Sequence, residues 1–351
     1  MAYTTIDDPA QFVFTKLYTG NATNPTTISG IGFQPDWVWT KGRSTAEGHR
    51  LCDSVRGATK DLLSNTGAAE STNTIGLKSF NADGYVIGNS NGYNKDTDTF
   101  VSWSWLAGTA ISSTSTTGSG TAKTYSGSVN TTSGFSIIKY VGNGTAGHTI
   151  PHHLGAAPDF IMVAQLDNTE AWQLYLSPMA ASKFIQMNVD EEFNQGDYNM
   201  FNSTAPSSTV ITLGNQNHTN ANDQNYVVYS FAAKKGYSKI GEYVGLNSSN
   251  GNFVYTGFRP SIIFIKRKDA DGDWRIYDDK RDGRNNKNDY VEPNTSDAES
   301  DTDSGSNWDF LANGFKFYTS EAQIAGSGTY LYMAFAHSPL VNSNGIPNNA
   351  R

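Results

Sequence analysis

The chain has 351 residues and a formal net charge of -8, with 17% charged and 37% hydrophobic residues. That length suffices for two or three domains with real cores, and the acidic balance argues against nucleic-acid binding, which wants a basic face. A single cysteine, Cys52, excludes an intrachain disulfide, and no segment approaches the ~20 apolar residues of a membrane span.

The amino terminus, Met1 to Pro9, has neither the basic start nor the apolar run of a signal peptide, so the common export route is not expected. Beyond it, one set of phrases occurs three times. The first unit reads Tyr18-Thr19-Gly20-Asn21, Pro35-Asp36-Trp37-Val38-Trp39, His49-Arg50-Leu51-Cys52-Asp53 and Phe100-Val101-Ser102-Trp103-Ser104-Trp105. The second answers with Tyr140-Val141-Gly142-Asn143, Pro158-Asp159-Phe160-Ile161-Met162, Trp172-Gln173-Leu174-Tyr175-Leu176 and Tyr226-Val227-Val228-Tyr229-Ser230-Phe231. The third has Tyr243-Val244-Gly245-Leu246, Pro260-Ser261-Ile262-Ile263-Phe264, Trp274-Arg275-Ile276-Tyr277-Asp278 and Tyr330-Leu331-Tyr332-Met333-Ala334-Phe335. A period of ~100 residues is too long for a solenoid, so three small domains in a row are expected. Residues 1–107, 129–236 and 237–351 form the units, the last with a carboxy-terminal tail. Residues 108–128, rich in Ser, Thr and Gly with little to bury, read as a flexible linker.

Within the units the pattern has period two. Val101, Trp103 and Trp105 point one way while Ser102 and Ser104 point the other. Trp37-Val38-Trp39 and Ile262 to Ile265 read as central strands covered on both sides. Asp83-Gly84 and Asn313-Gly314 mark hairpins that echo each other. Ala180 to Glu192 is the best helix candidate in a chain that offers few. The expected fold class is all-β, three tandem β-sandwich-like domains related by internal repeat. Most tryptophans fall inside strand phrases and belong to cores; Trp308, outside them, is expected at the surface.

Two segments peculiar to one unit are candidate binding surfaces. The first holds His148, His152 and His153, where Ile150-Pro151 favours strand or turn over a helical metal site and so ordinary loop histidines. The second is the acidic loop Ser296 to Ser306, with Asp301 and Asp303, beside Trp308; its composition favours a solvated loop, with contact to a basic partner or a cation as the alternative. Asp269-Ala270-Asp271-Gly272-Asp273 resembles the start of a calcium loop, but Lys280 stands where a bidentate Glu is needed, so a hairpin tip is favoured. A looser calcium site using Asp278, Asp279 or Asp282 stays open. No motif pairs the carboxylates of Asp53, Asp190, Glu191, Glu192 or Glu242, and no nucleophile elbow or phosphate-cradling loop occurs. Neither catalysis nor a cofactor is expected.

Several long phrases together resemble a family of repeat-containing virion proteins of tailed phages, many from marine and cyanobacterial hosts. They are Met1-Ala2-Tyr3-Thr4-Thr5-Ile6-Asp7-Asp8-Pro9, Lys16-Leu17-Tyr18-Thr19-Gly20-Asn21, Gln34 to Trp39, Asp53-Ser54-Val55-Arg56-Gly57, Tyr140 to Gly147, Ile150 to Gly155, and Tyr332 to Leu340. The resemblance covers essentially the whole chain. It implies a structural component of the virion with no catalytic residues, assembled with other virion proteins, as a homo-oligomer with a trimer among the options. A tail fibre or adhesin touching host surface glycan is the first expectation. Capsid decoration or a head knob is the second, and a glycan-depolymerising tailspike the third. Neither nucleic acid nor membrane insertion is implied. Unit two departs from the pattern: Ala164-Gln165 stands where related sequences carry a basic residue, and the Asp-Ser-Val-Arg-Gly phrase occurs only in unit one.

Overall fold

In each unit the repeated phrases become four antiparallel strands, ordered opening, closing, core, third across a principal sheet. In unit one these are Val13–Thr19, Thr99–Trp105, Trp37–Gly42 and Arg50–Asp53. Unit two has Phe135–Val141, Asn225–Phe231, Phe160–Gln165 and Gln173–Leu176. Unit three has Ser238–Val244, Thr329–Pro339, Phe258–Arg267 and Arg275–Asp278. The computed structural model describes residues 2–192, 198–282, 285–301 and 307–348.

A smaller outer sheet covers one face of each principal sheet. Thr26–Ser29, Gly84–Ile87 and Leu77–Asn81 form it in unit one, and Phe253–Tyr255, Gly314–Phe317 and Trp308–Leu311 in unit three. In unit two it consists of Thr117–Gly118, His148–Pro151 and Val210–Leu213. The echoing hairpins therefore occupy equivalent places, Asn81 pairing Gly84 and Leu311 pairing Gly314. Gly84 has φ +146, and a Cβ there would lie 2.0 Å from the Ile28 carbonyl oxygen, so only glycine lets the outer strand come so close. The fold is all-β, with sheet facing sheet in each unit.

The other face of every principal sheet enters one shared core. Trp37, Trp39, Val101, Trp103 and Trp105 meet Phe160, Met162, Val227, Tyr229 and Phe231, and these meet Ile262, Phe264, Leu331, Met333 and Phe335. The alternate residues of the same strands fill local cores under the outer sheets: Val38 in unit one, Ile161 and Val163 in unit two, Ile263 and Ile265 in unit three. Strands apolar on both faces are thus covered on both, as their runs require. The last aromatic of each closing strand meets the other two: Trp105–Phe231, Trp105–Phe335 and Phe231–Phe335 centroids are 6.3, 5.7 and 5.2 Å apart. This triangle marks a pseudo-threefold axis.

Three arms close the ring in one rotational sense. From unit one, Glu70 N donates to the Leu166 carbonyl, while Trp172 Nε1 of unit two reaches the Thr66 carbonyl, 2.9 and 3.0 Å. From unit two, the Asp190 carbonyl accepts from Gly272 N and Lys266 Nζ, and the Gln186 carbonyl from Trp274 Nε1. From unit three, Glu299 N donates to the Arg43 carbonyl, and the Pro293 and Ser296 carbonyls accept from Ser64 and Lys41. Both buried lysines end on backbone carbonyls, and burial lowers each to about 8. Their counterpart in unit two is Ala164, which lies in the shared core; the next residue, Gln165, faces the other way and donates to the Asn217 carbonyl and the Tyr226 hydroxyl.

The third strands carry a second threefold comparison. Asp53 and Arg56 form a fully buried ion pair at 2.5 Å, and Asp53 also accepts from the Tyr229 hydroxyl of unit two at 2.7 Å. Asp278 and Arg281 repeat it at 2.6 Å, with Trp103 Nε1 of unit one donating to Asp278 at 3.2 Å. The Asp-x-x-Arg pairing is therefore not confined to unit one. The intervening residues differ, which hid the repeat. At the same step unit two places Leu176 and Met179, both in the shared core.

Two sequence expectations are corrected. Residues 108–128 are not a free linker: Thr109–Ser115 and Thr124–Asn130 extend the principal sheet of unit two, and Thr117–Gly118 joins its outer sheet. The Thr109–Ser115 side chains stay almost wholly exposed, so backbone pairing rather than burial orders this tract. Ala180 to Glu192 forms no helix. Ile185–Gln186 pairs with the third strand, and Ile185 and Met187 alternate into the shared core.

Residues 129–236 made alone would expose the inner face of their principal sheet. We expect that fragment to unfold or self-associate; a stable monomer in sedimentation would contradict the shared core.

Candidate functional site

The histidine stretch does not converge on a common ligand. His148 lies buried, its Nδ1 facing Asn220 Oδ1 at 2.9 Å and its Nε2 facing Thr116 Oγ1 at 2.8 Å. Asn220 gives its Nδ2 hydrogens to the Thr145 and Gly214 carbonyls and its Oδ1 can only accept, so Nδ1 carries the ring proton and Nε2 accepts from the Thr116 hydroxyl. His152 is buried with Nε2 against the Ser207 carbonyl, and His153 faces the Tyr125 hydroxyl at 3.0 Å. Burial lowers all three below the usual histidine range. His148 departs from the loop expectation, a buried strand residue that fastens the 109–130 tract to unit two, whereas His152 and His153 follow the strand in the loop, His153 exposed.

Trp308 is the clearest correction among candidate site residues. It is fully buried, packed against Tyr277, Phe310 and Phe317 at centroid distances of 4.7, 4.9 and 5.3 Å. It begins an outer strand with no counterpart among the described residues of unit two, so comparison of phrases left it outside the scaffold. Asp301 lies in the two-residue strand Ser300–Asp301, paired with Asp289–Tyr290. Asp303 falls outside the described residues.

The carboxylates of the 269–273 turn are turned apart. Asp269 binds Arg267 and Thr329 N, Asp271 accepts from Glu192 N, and Asp273 accepts from Asn294 Nδ2. Asp278, Asp279 and Asp282 likewise face Arg281, His337 and the Asn288 amide.

The structure does gather acids beside the third arm. Tyr290, Glu292, Asp297 and Glu299 line a cavity of about 260 Å³. Burial, reinforced by Asp273 and Asp297 against the pull of Arg275, raises Glu292 from the ordinary 4.5 to about 7. Asp289 is raised to about 7 by burial and by its hydrogen bond with Asp282. A carboxyl raised in the folded state supports folding fully below its unfolded pKa. That support is lost as pH climbs toward 7, because the unfolded chain ionises first. Melting temperature should therefore fall between about pH 4.5 and 7, and Glu292→Gln should flatten part of that fall. An unchanged pH profile would refute the assignment.

One surface went unseen in the sequence. At the outward positions of the outer strand, unit one has Thr27 and Ser29 and unit two Thr149 and Pro151, whereas unit three has Phe253 and Tyr255, 43% and 48% exposed. Around them runs a strip of rings and ammonium groups. Lys235 Nζ lies 4.4 Å from the Tyr3 ring centre, and the Tyr3 hydroxyl is 3.3 Å from that of Tyr255. Lys239 Nζ lies 5.5 Å from the Tyr255 ring. Phe253 pairs across the sheet with Lys316, whose Nζ lies 5.3 Å from the ring of Tyr318, itself 39% exposed. The legible signal was the inverted alternation of Phe253-Val254-Tyr255, two aromatics flanking the core residue.

Among curated proteins, none matches the chain. It belongs to the family described as a domain of unknown function, DUF7483, whose model matches residues 8–339 and so takes in all three units.

Proposed function

We propose that this protein is a non-enzymatic structural component on the exterior of a tailed-phage virion, where it acts as a tail-fibre-like adhesin contacting host surface glycan. The observation that carries the reading is the aromatic–lysine strip of unit three. Exposed rings on a rigid sheet present large, preorganised contact area at low entropic cost. The shared core supports the same reading, because it holds that sheet on a body with three interlocked arms. One chain already brings three units around an axis, so the units need no further copies to cover their inner faces. Association with other virion proteins belongs to the same proposal, and capsid decoration is its alternative position.

Gold-labelled antibody against the protein is expected to decorate tails, and the soluble protein to block adsorption to host cells. Labelling confined to capsomers would favour decoration instead. The Glu292 cavity supports a second reading, a glycan-depolymerising tailspike, since a protonated and an ionised carboxyl can act as acid and base. New reducing ends released from host polysaccharide would establish it, and their loss in Glu292→Gln would place the acid.

A further inference from the structure

We infer that the strip from Tyr3 to Tyr318 binds an acidic glycan, one carrying carboxylate or sulfate groups along its chain; this rests on the adhesin reading and names its ligand class. Tyr3, Tyr255, Phe253 and Tyr318 offer rings on which the C–H faces of sugars can lie. Lys235, Lys239 and Lys316 sit beside those rings. The remaining cation–ring contacts among the described residues, Arg275 on Tyr290, Arg281 on Trp103 and Lys287 on Phe310, all involve buried cations. The strip therefore gathers the exposed ones.

Charge decides between neutral and acidic ligands. Among the described residues the ion pairs of unit three lie elsewhere, on Arg267, Lys268, Arg275, Arg281, His337 and the Arg43–Glu299 seam. Lys239 gives one hydrogen bond to the Tyr255 carbonyl, at 2.7 Å, and an ammonium has three to give. Lys316 has one carboxylate opposite it in register, Asp309. Among the described residues none of Lys235, Lys239 and Lys316 is held in an ion pair, so the three ammonium groups make a local positive strip on a chain of net charge -8. A neutral saccharide would leave those cations without a counter-charge, whereas an acidic one supplies it at intervals. Single-stranded nucleic acid also combines stacking faces with negative charge, but it draws most of its affinity from a basic groove, and the overall acidity opposes it. Each exposed ion pair is weak, so recognition depends on several acting along one chain and is screened by salt.

The test is calorimetric titration of the full chain with alginate, a polyuronate, against dextran, which is neutral. Alginate is expected to bind at least about tenfold more tightly. Raising NaCl from about 0.05 to 0.5 M should weaken it several-fold. The double variant Lys235→Glu, Lys316→Glu and the variant Phe253→Ser, Tyr255→Ser should each lose at least about tenfold. All these side chains are at least partly exposed, and an unchanged melting temperature will show that the fold is kept. Lys78→Glu, on the outer sheet of unit one, should bind as the parent does. Equal binding of dextran, an equal loss in Lys78→Glu, or tighter binding of oligothymidylate would each overturn the assignment. The virion-labelling and adsorption experiments have separate readouts. Adsorption blocked by a protein indifferent to alginate would leave the adhesin reading standing and remove this one. Alginate binding by a protein absent from the virion exterior would do the reverse.

Discussion

Phe231→Ala is expected to destabilise all three units together, by about 3–5 kcal/mol. Phe231 touches Trp37 and Trp105 of unit one, Phe135 and Phe160 of its own unit, and Phe335 of unit three. Its removal opens a void that no single sheet can close, because the neighbours belong to different sheets held by different arms. Urea unfolding should remain one transition, shifted to lower denaturant, when followed by circular dichroism and by tryptophan fluorescence. The reporters are spread over the ring: Trp37 and Trp103 in unit one, Trp172 in unit two, Trp274 and Trp308 in unit three. Phases that separate by probe would refute the shared core.

The second large effect tests the threefold comparison of the third strands. Arg56→Met strands Asp53 as a buried, uncompensated charge and should cost about 3–5 kcal/mol. Adding Asp53→Leu and Tyr229→Met copies what unit two and its neighbour already use, Leu176, Met179 and Met333, all in the shared core. Most of the loss should return, because well-packed apolar groups replace a buried pair at little net cost. Glu70, which also binds Arg56, keeps Lys60 at 3.6 Å. A triple variant no more stable than Arg56→Met in urea titration would show that the units are not equivalent in energy. The related pair has a pH signature. Burial works against the Asp278 carboxylate, yet Arg281 and two backbone amides hold it below the usual carboxylate range. Its contribution is complete above the unfolded value of 3.8 and disappears as acid takes the pH through the lower folded one.

The strand phrases were legible because alternation in a strand has period two and each phrase repeats it. Trp37-Val38-Trp39 even announces cover on both faces. What it cannot announce is the identity of the cover, and here one cover is another unit. Composition misled at 108–128, where polar residues form a strand whose order comes from backbone pairing with Thr124–Asn130. It misled again at Ala180 to Glu192, whose apolar residues serve an arm. The histidines drew notice through their chemistry, but His148 answers to Asn220 and Thr116, partners remote in sequence. The strip was missed because Phe253 meets Lys316 only through the outer sheet, and Tyr3 reaches Tyr255 and Lys235 only after the ring closes.

Two seams of that ring are crossed by the chain, and the third is held by contacts alone. There Ser343 N and Oγ donate to the Asp7 carboxylate, and the Tyr3 hydroxyl donates to the Gly257 carbonyl, so the first and last described segments lie side by side. Covalent order around the axis is thereby interchangeable. A permuted chain, spliced from Asn348 to Ala2 through a short glycine bridge and opened at Lys234–Lys235, retains the aromatic triangle and all three arms, and should melt as one body.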